Sequence, residues 1–84
     1  MTDRVLRDIN AERRRQDEKW GVPNHRPFKW ISILGEEFGE VCKAALEVHF
    51  KKEYVDDYSD YRKELIEVAA VAVAAIENLD RVGY

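Results

Sequence analysis

The sequence predicts an all-α protein, an antiparallel helical bundle whose four-helix core is completed by dimerisation. Three observations lead there. Apolar residues recur at helical spacing in two long stretches, 30–48 and 61–76, whereas period-two alternation extends over no useful length. The breaks between stretches are short and rich in Gly, Pro and turn formers, which makes successive helices antiparallel neighbours. The run from Val68 to Ile76 is apolar around most of its circumference, so it must be buried on several sides. Three helices can hardly enclose it, and a chain of 84 residues has a marginal core by itself. A second copy would supply the missing cover.

Thr2 and Asp3 are N-cap candidates for a first helix from about Arg4 to Lys19. Its apolar residues are few, chiefly Val5, Leu6, Ile9 and Ala11, which lays it on the surface of the others. Arg13-Arg14-Arg15 reads as a solvated face. Trp20 to Pro27 is a loop, because Gly21, Pro23 and Pro27 cannot continue a regular element. A second helix begins near Phe28 or Lys29 and runs to about Lys51. Gly35 and Gly39 each weaken it by up to about 1 kcal/mol relative to Ala. They mark either a close approach of another backbone or ligand, or glycines tolerated on a well-packed helix. Residues 52–60 are polar and form a connection, with Ser59 or Asp60 as the next N-cap. A third helix covers about Asp60 to Leu79, and Gly83 follows its end.

The whole chain, 1–84, reads as one small domain. Its residues are 45% hydrophobic and 37% charged, a balance that fits a soluble helical protein and argues against disorder. A net charge of -3 gives no electrostatic case for nucleic acid as a partner. The longest apolar run is far short of the roughly 20 residues that cross a bilayer, so no membrane role is expected. The amino-terminal residues are charged and lack an apolar signal region, and the single cysteine, Cys42, has no partner within the chain. A reducing cytoplasm is the default location. Cys42, in the apolar arc of the second helix, is expected to be a small core residue. His25 and His49 have no second His or Cys at ligand spacing, so zinc is not expected.

Two acid pairs stand out. Successive helical residues rotate by roughly 100°, which gathers Trp30, Leu34, Val41, Ala45 and Val48 on one side of the second helix. Glu37 lies inside that apolar arc and Glu40 at its edge, whereas Glu36, Lys43 and Glu47 point to the solvated side. On the third helix Glu64 shares a face with Tyr61, Val68, Val71 and Ala75, and Glu67 sits beside Val71 and Ala74. Ionised carboxylates among apolar neighbours are costly without a partner, and grouping them raises their proton affinity. A divalent cation held by oxygen ligands from two helices is the economical partner.

These residues carry a resemblance. Glu36-Glu37-Phe38-Gly39-Glu40 followed by Glu64-Leu65-Ile66-Glu67 resembles the EExxE and ExxD signature of the MazG-like, all-α nucleoside triphosphate pyrophosphohydrolases. The lead-in from Glu12 to Gly21, Trp30, and the segment from Lys63 to Ala72 look like the small phage-type or mobile-element members. The likeness spans about Arg4 to Arg81. It implies hydrolysis of a nucleoside triphosphate, a deoxynucleotide or modified nucleotide, to the monophosphate and pyrophosphate. It also implies Mg2+, with Mn2+ as substitute, and a homodimer or dimer of dimers. By position, Glu37, Glu40, Glu64 and Glu67 would be metal ligands, and Glu36 an adjacent acid that orients them or a water. Glu67 stands where the family usually has Asp, so its longer side chain must shift the ligand geometry. The chain is also short for the family and leaves no room for an elaborate lid.

Positive side chains should assist such chemistry. Lys63 is the foremost candidate for a phosphate, with Arg62, Lys43, Lys51 and Lys52 nearby; each is also readable as an ordinary surface charge. Asn78, three helical turns beyond Glu67, is placed to bond a sugar or base, or simply faces water. Trp30 either stacks on a base or belongs to the core, and Trp20, Phe28 and Tyr61 pose the same choice. A different class fits the same residues: a non-catalytic dimeric binding module whose acids are ion-paired with Arg and Lys across the interface.

Overall fold

The computed structural model describes residues 1–51 and 57–84. It contains three helices, α1 (Thr2–Trp20), α2 (Pro27–His49) and α3 (Ser59–Val82), and no strand among the described residues.

The helix ends depart from the expected ones in informative ways. Thr2 is already helical, and no side chain caps α1; instead the Val5 N–H donates to the Met1 carbonyl at 3.2 Å. Pro27 opens α2, since its fixed φ suits the first turn and its missing N–H would have no partner there. The connection 52–56 lies outside the described residues. At α3 the capping task falls on Asp57, whose carboxylate accepts the Ser59 N–H at 3.0 Å, so Ser59 and Asp60 become first-turn residues. The other end of α3 continues past Leu79 to Val82, where Gly83 turns left-handed (φ 85°) and its N–H donates to the Leu79 carbonyl at 2.7 Å.

Helix α3 lies in the middle. It packs against α2 on one side and α1 on the other, and α1 does not touch α2. Trp30 meets Asn78, and Glu37 lies near Glu67, so α2 and α3 are antiparallel. Asp8 pairs with Arg62 and Arg13 with Glu77, so α1 runs in the same direction as α3. The core is small: Trp30, Val71 and Ala74 are buried together, with Ile33, Leu34 and Ala75 packed around them. Val41, Ala44 and Ala70 are buried as well. Helix α1 buries none of its residues fully. Its ion pairs to α3, Arg62 Nη2 to Asp8 Oδ2 at 2.6 Å and Arg13 Nε to Glu77 Oε1 at 3.0 Å, are exposed enough to contribute about 1 kcal/mol or less each.

The loop between α1 and α2 is pinned across the carboxy-terminal part of α3. Asn78 is completely buried, and its Oδ1 accepts the His25 backbone N–H at 2.6 Å and the Trp30 Nε1–H at 2.8 Å. Its Nδ2 donates to the Tyr84 carbonyl at 3.0 Å. Arg81 adds bonds to Asn24 Oδ1 at 2.7 and 3.0 Å and to the Pro23 carbonyl at 3.3 Å. The chain can make the reversal because Gly21 adopts φ 76° and ψ -163°, a region closed to residues with a Cβ.

One expectation about α2 is corrected, and an open choice about its glycines is narrowed. Cys42 is exposed, because it sits roughly 100° past Val41 and rotates off the side that meets α3. A Cβ at Gly35 or Gly39 would meet nothing within 4 Å, so within one chain neither glycine marks a close approach.

Candidate functional site

Because α1 and α2 flank α3 without touching, a groove of about 920 Å³ runs between them. Val71 and Ala74 of α3 lie along its floor, with Trp30 and Ile33 from α2. Trp20, Pro23 and His25 close the end beneath the pinned loop; the His25 ring lies 5.0 Å from that of Trp30. Charged residues occupy the rest: Glu36 and Glu37 from α2, Lys63 and Glu67 from α3, and Glu12, Arg13, Arg15 and Lys19 from α1.

Within this setting Glu37, Glu64 and Glu67 converge. One carboxylate oxygen from each lies within 4.8 Å of the others, and all three side chains are half-buried. Local sequence accounts for the placement. Glu64 and Glu67 are one helical turn apart on α3, and Glu37 projects from the same side of α2 as buried Trp30 and Val41, toward α3. Burial raises the proton affinity of Glu37, and the charges of Glu67 and Glu40 raise it further. Burial likewise lifts Glu64, to a pKa of about 7, reinforced by the closeness of the Glu67 carboxyl and by the charges of Glu67, Glu37 and Glu40. Among the described residues none of the three is ion-paired. Hard oxygen donors at this spacing, repelling one another and lacking a counter-charge, fit a small divalent cation.

The other expected site residues fall differently. Glu40 is exposed one turn along α2, close enough to act on Glu37 and Glu64 but outside the convergent set. Glu36 is exposed and lines the groove, and Lys63 lines it from α3. Trp30 is buried with its Nε1–H committed to Asn78, although the groove reaches one side of it. Asn78 does not face water: both ends of its amide are engaged within the chain.

Sequence reasoning missed the contribution of α1. Glu12 and Arg15 form a two-pronged pair, Arg15 Nε to Glu12 Oε1 at 2.7 Å and Arg15 Nη2 to Glu12 Oε2 at 2.6 Å. The Arg15 contact lowers the proton affinity of Glu12, against the effect of partial burial. Gln16 Nε2 donates to the same Glu12 carboxylate at 3.3 Å. A signal was available: Asp8, Glu12, Arg15, Gln16 and Lys19 recur at i, i+4, i+7, i+8 and i+11, one polar stripe of a helix. Of the arginine run expected to be a solvated face, Arg14 and Arg15 are exposed, whereas Arg13 is largely covered, with its guanidinium on Asp17 and Glu77.

No protein-family model, curated protein or solved structure matches the chain. What it does is therefore argued from its own residues.

Proposed function

We propose that this protein is a Mg2+-dependent nucleoside triphosphate pyrophosphohydrolase of the MazG-like kind, working as a homodimer. The observation that carries the reading is the convergence of Glu37, Glu64 and Glu67, with no ion pair among the described residues, beside an open groove. Those three carboxylates would hold the cation, with Glu40 within reach of the same charge. When bound, the cation would neutralise phosphate oxygens and favour attack by water at phosphorus. Glu36, on the groove and outside the convergent set, is the carboxylate left free to orient that water. One water enters, the bond between the α-phosphorus and its bridging oxygen breaks, and monophosphate and pyrophosphate leave. Lys63 faces the same space and offsets phosphate charge. The apolar floor and the aromatic rings at the loop end give a nucleoside a surface that a free inorganic phosphate would not need.

Two features favour a second copy. The chain exposes 6591 Å², whereas a compact monomer of 9.9 kDa exposes about 5,200 Å². The excess, about 1,400 Å² on one chain or about 2,800 Å² over two copies, is above the roughly 800 Å² per partner of a standard interface and in the range of obligate homodimers. The apolar exposure is also patterned: Ile31, Phe38 and Leu46 on α2, and Leu65, Ile76 and Leu79 on α3. By helical rotation both stripes lie away from the groove, so pairing them across two copies would build the four-helix core and leave the acids accessible. Gly35 and Gly39, open in a single chain, lie beside Phe38 and permit close helix approach.

The test is pyrophosphate release across a panel of canonical and modified nucleoside triphosphates with Mg2+ or Mn2+, with E37Q and E64Q as controls. Turnover that stops in both variants is expected. Activity that survives both would remove the proposed site, and no release from any nucleotide by the native chain would favour the non-catalytic binding module.

A further inference from the structure

The acids and the cation they would hold do not account for charge along the groove. Four carboxylates, Glu37, Glu40, Glu64 and Glu67, absorb the charge of one or even two divalent ions, which leaves a highly anionic polyphosphate to be neutralised by something else. The cations lining the groove are Arg13, Arg15, Lys19, Lys63 and Arg81. Most are committed. Arg13 is bound to Asp17, Glu77 and Gln16, and Arg81 holds Asn24 and the Pro23 carbonyl. Lys19 lies over the Trp20 ring at 4.8 Å. Lys63 remains, together with one edge of Arg15, whose other edge holds Glu12.

Arg15 is held in an unusual way for a half-exposed side chain. Glu12 takes its Nε and one Nη2 hydrogen, a fork along one edge of the guanidinium. The end edge, with the Nη1 pair and the second Nη2 hydrogen, bonds to none of the described residues. Glu12 is only 12% exposed, and Gln16 adds a third bond to its carboxylate, so the anchor is itself fixed. Three of its roughly four lone-pair sites are taken by Arg15 and Gln16, which sets it apart from the convergent acids. Across the groove, Arg15 feels the charges of Glu67 and Glu37. A planar fork with one edge clamped and the other open beside a cation site matches the oxygens of a phosphate.

We infer that Arg15 on α1 is a phosphate-contacting residue that receives the pyrophosphate portion of the nucleotide, and that Glu12 is the positioning residue that aims it. The inference rests on the nucleotide reading above for its substrate, but the anion site is testable without turnover. An ordinary i, i+3 surface pair would show no ligand dependence at all.

The experiment is calorimetric binding of inorganic pyrophosphate with Mg2+ to the native chain, R15A, R15K and E12Q, alongside kcat and KM on the best nucleotide. R15A should weaken pyrophosphate roughly 10- to 100-fold, as befits a lost charge-assisted fork, and raise KM. Its Mg2+-induced rise in Tm should persist, because the acids are untouched. R15K should recover part of the affinity. E12Q should weaken binding several-fold by freeing the guanidinium; stronger binding, from mere removal of a negative charge, would overturn the positioning role. Unchanged pyrophosphate affinity and KM in R15A would overturn the inference while leaving hydrolysis intact. Arg15-dependent pyrophosphate binding without nucleotide turnover would uphold it and remove the hydrolysis reading instead. A native chain that binds no pyrophosphate would overturn it outright.

Discussion

Replacing Glu64 by Gln should make the metal-free protein more stable, and the reason lies in the company Glu64 keeps. Its carboxyl rises from an ordinary 4.5 to about 7 through burial and the neighbouring Glu67, Glu37 and Glu40. The folded chain therefore binds a proton at Glu64 more tightly than the unfolded chain does. Stability falls as pH rises through the window between 4.5 and 7, and the full penalty is present above it. Each tenfold change in proton affinity is worth about 1.4 kcal/mol, which sets a ceiling of about 3 kcal/mol. Water in the open groove screens the repulsion, so about 1–2 kcal/mol is the expected gain. For a domain of this size that is a rise in Tm of roughly 5–10 °C. The assay is thermal melting of native chain and E64Q in EDTA at pH 8 and pH 4.5, at one protein concentration. E64Q should melt higher at pH 8, and the gap should close at pH 4.5, where both side chains are neutral. Millimolar Mg2+ at pH 8 should lift the native chain and leave E64Q nearly unmoved. E64Q melting at or below the native chain at pH 8 in EDTA would refute the picture of mutually repelling, unpartnered acids.

Further outcomes follow from other parts of the fold. Asn78→Ala strands the Trp30 Nε1–H and the His25 N–H beneath the loop, a loss of about 2–4 kcal/mol, seen as a fall in Tm of about 10 °C or more. Gly21→Ala forces a Cβ into φ 76° with nothing to collide with, so its cost, about 1–2 kcal/mol by chemical denaturation, is purely backbone strain. Phe38→Glu and Ile76→Glu, on the two exposed apolar stripes, should each convert a dimer to monomers in sedimentation velocity; an unchanged sedimentation coefficient would place the interface elsewhere.

Glu37 could be found in the sequence because helical rotation alone sets it among Trp30, Leu34 and Val41, and the same arithmetic found Glu64 and Glu67. Three helices, their order and their approximate ends are likewise written in local residues such as Pro27 and Gly83. What depends on how helices sit against one another was not legible. Glu12 and Arg15 matter only because α1 lies along α3 at a particular rotation, and α1 has too few apolar residues to announce that rotation. The role of Asn78, readable from sequence as a sugar or base contact or as a residue facing water, was not legible because its acceptors and donors come from 53, 48 and 6 residues away, across a loop whose path no local pattern dictates. Cys42 failed for a simpler reason: an apolar arc wide enough to include it is wider than the seam α3 covers.

The single-sided attachment of α1 carries a consequence for what the protein can accommodate. A doorpost anchored along one seam and at the pinned loop above it, and free of the opposite jamb, fixes the aperture through those two attachments. A change at Asp8, which removes its ion pair with Arg62, should therefore alter the width of the groove while leaving the convergent acids in place. The width of the cleft and the grouping of the acids thus depend on separate parts of the chain, and substitutions can retune the first while sparing the second.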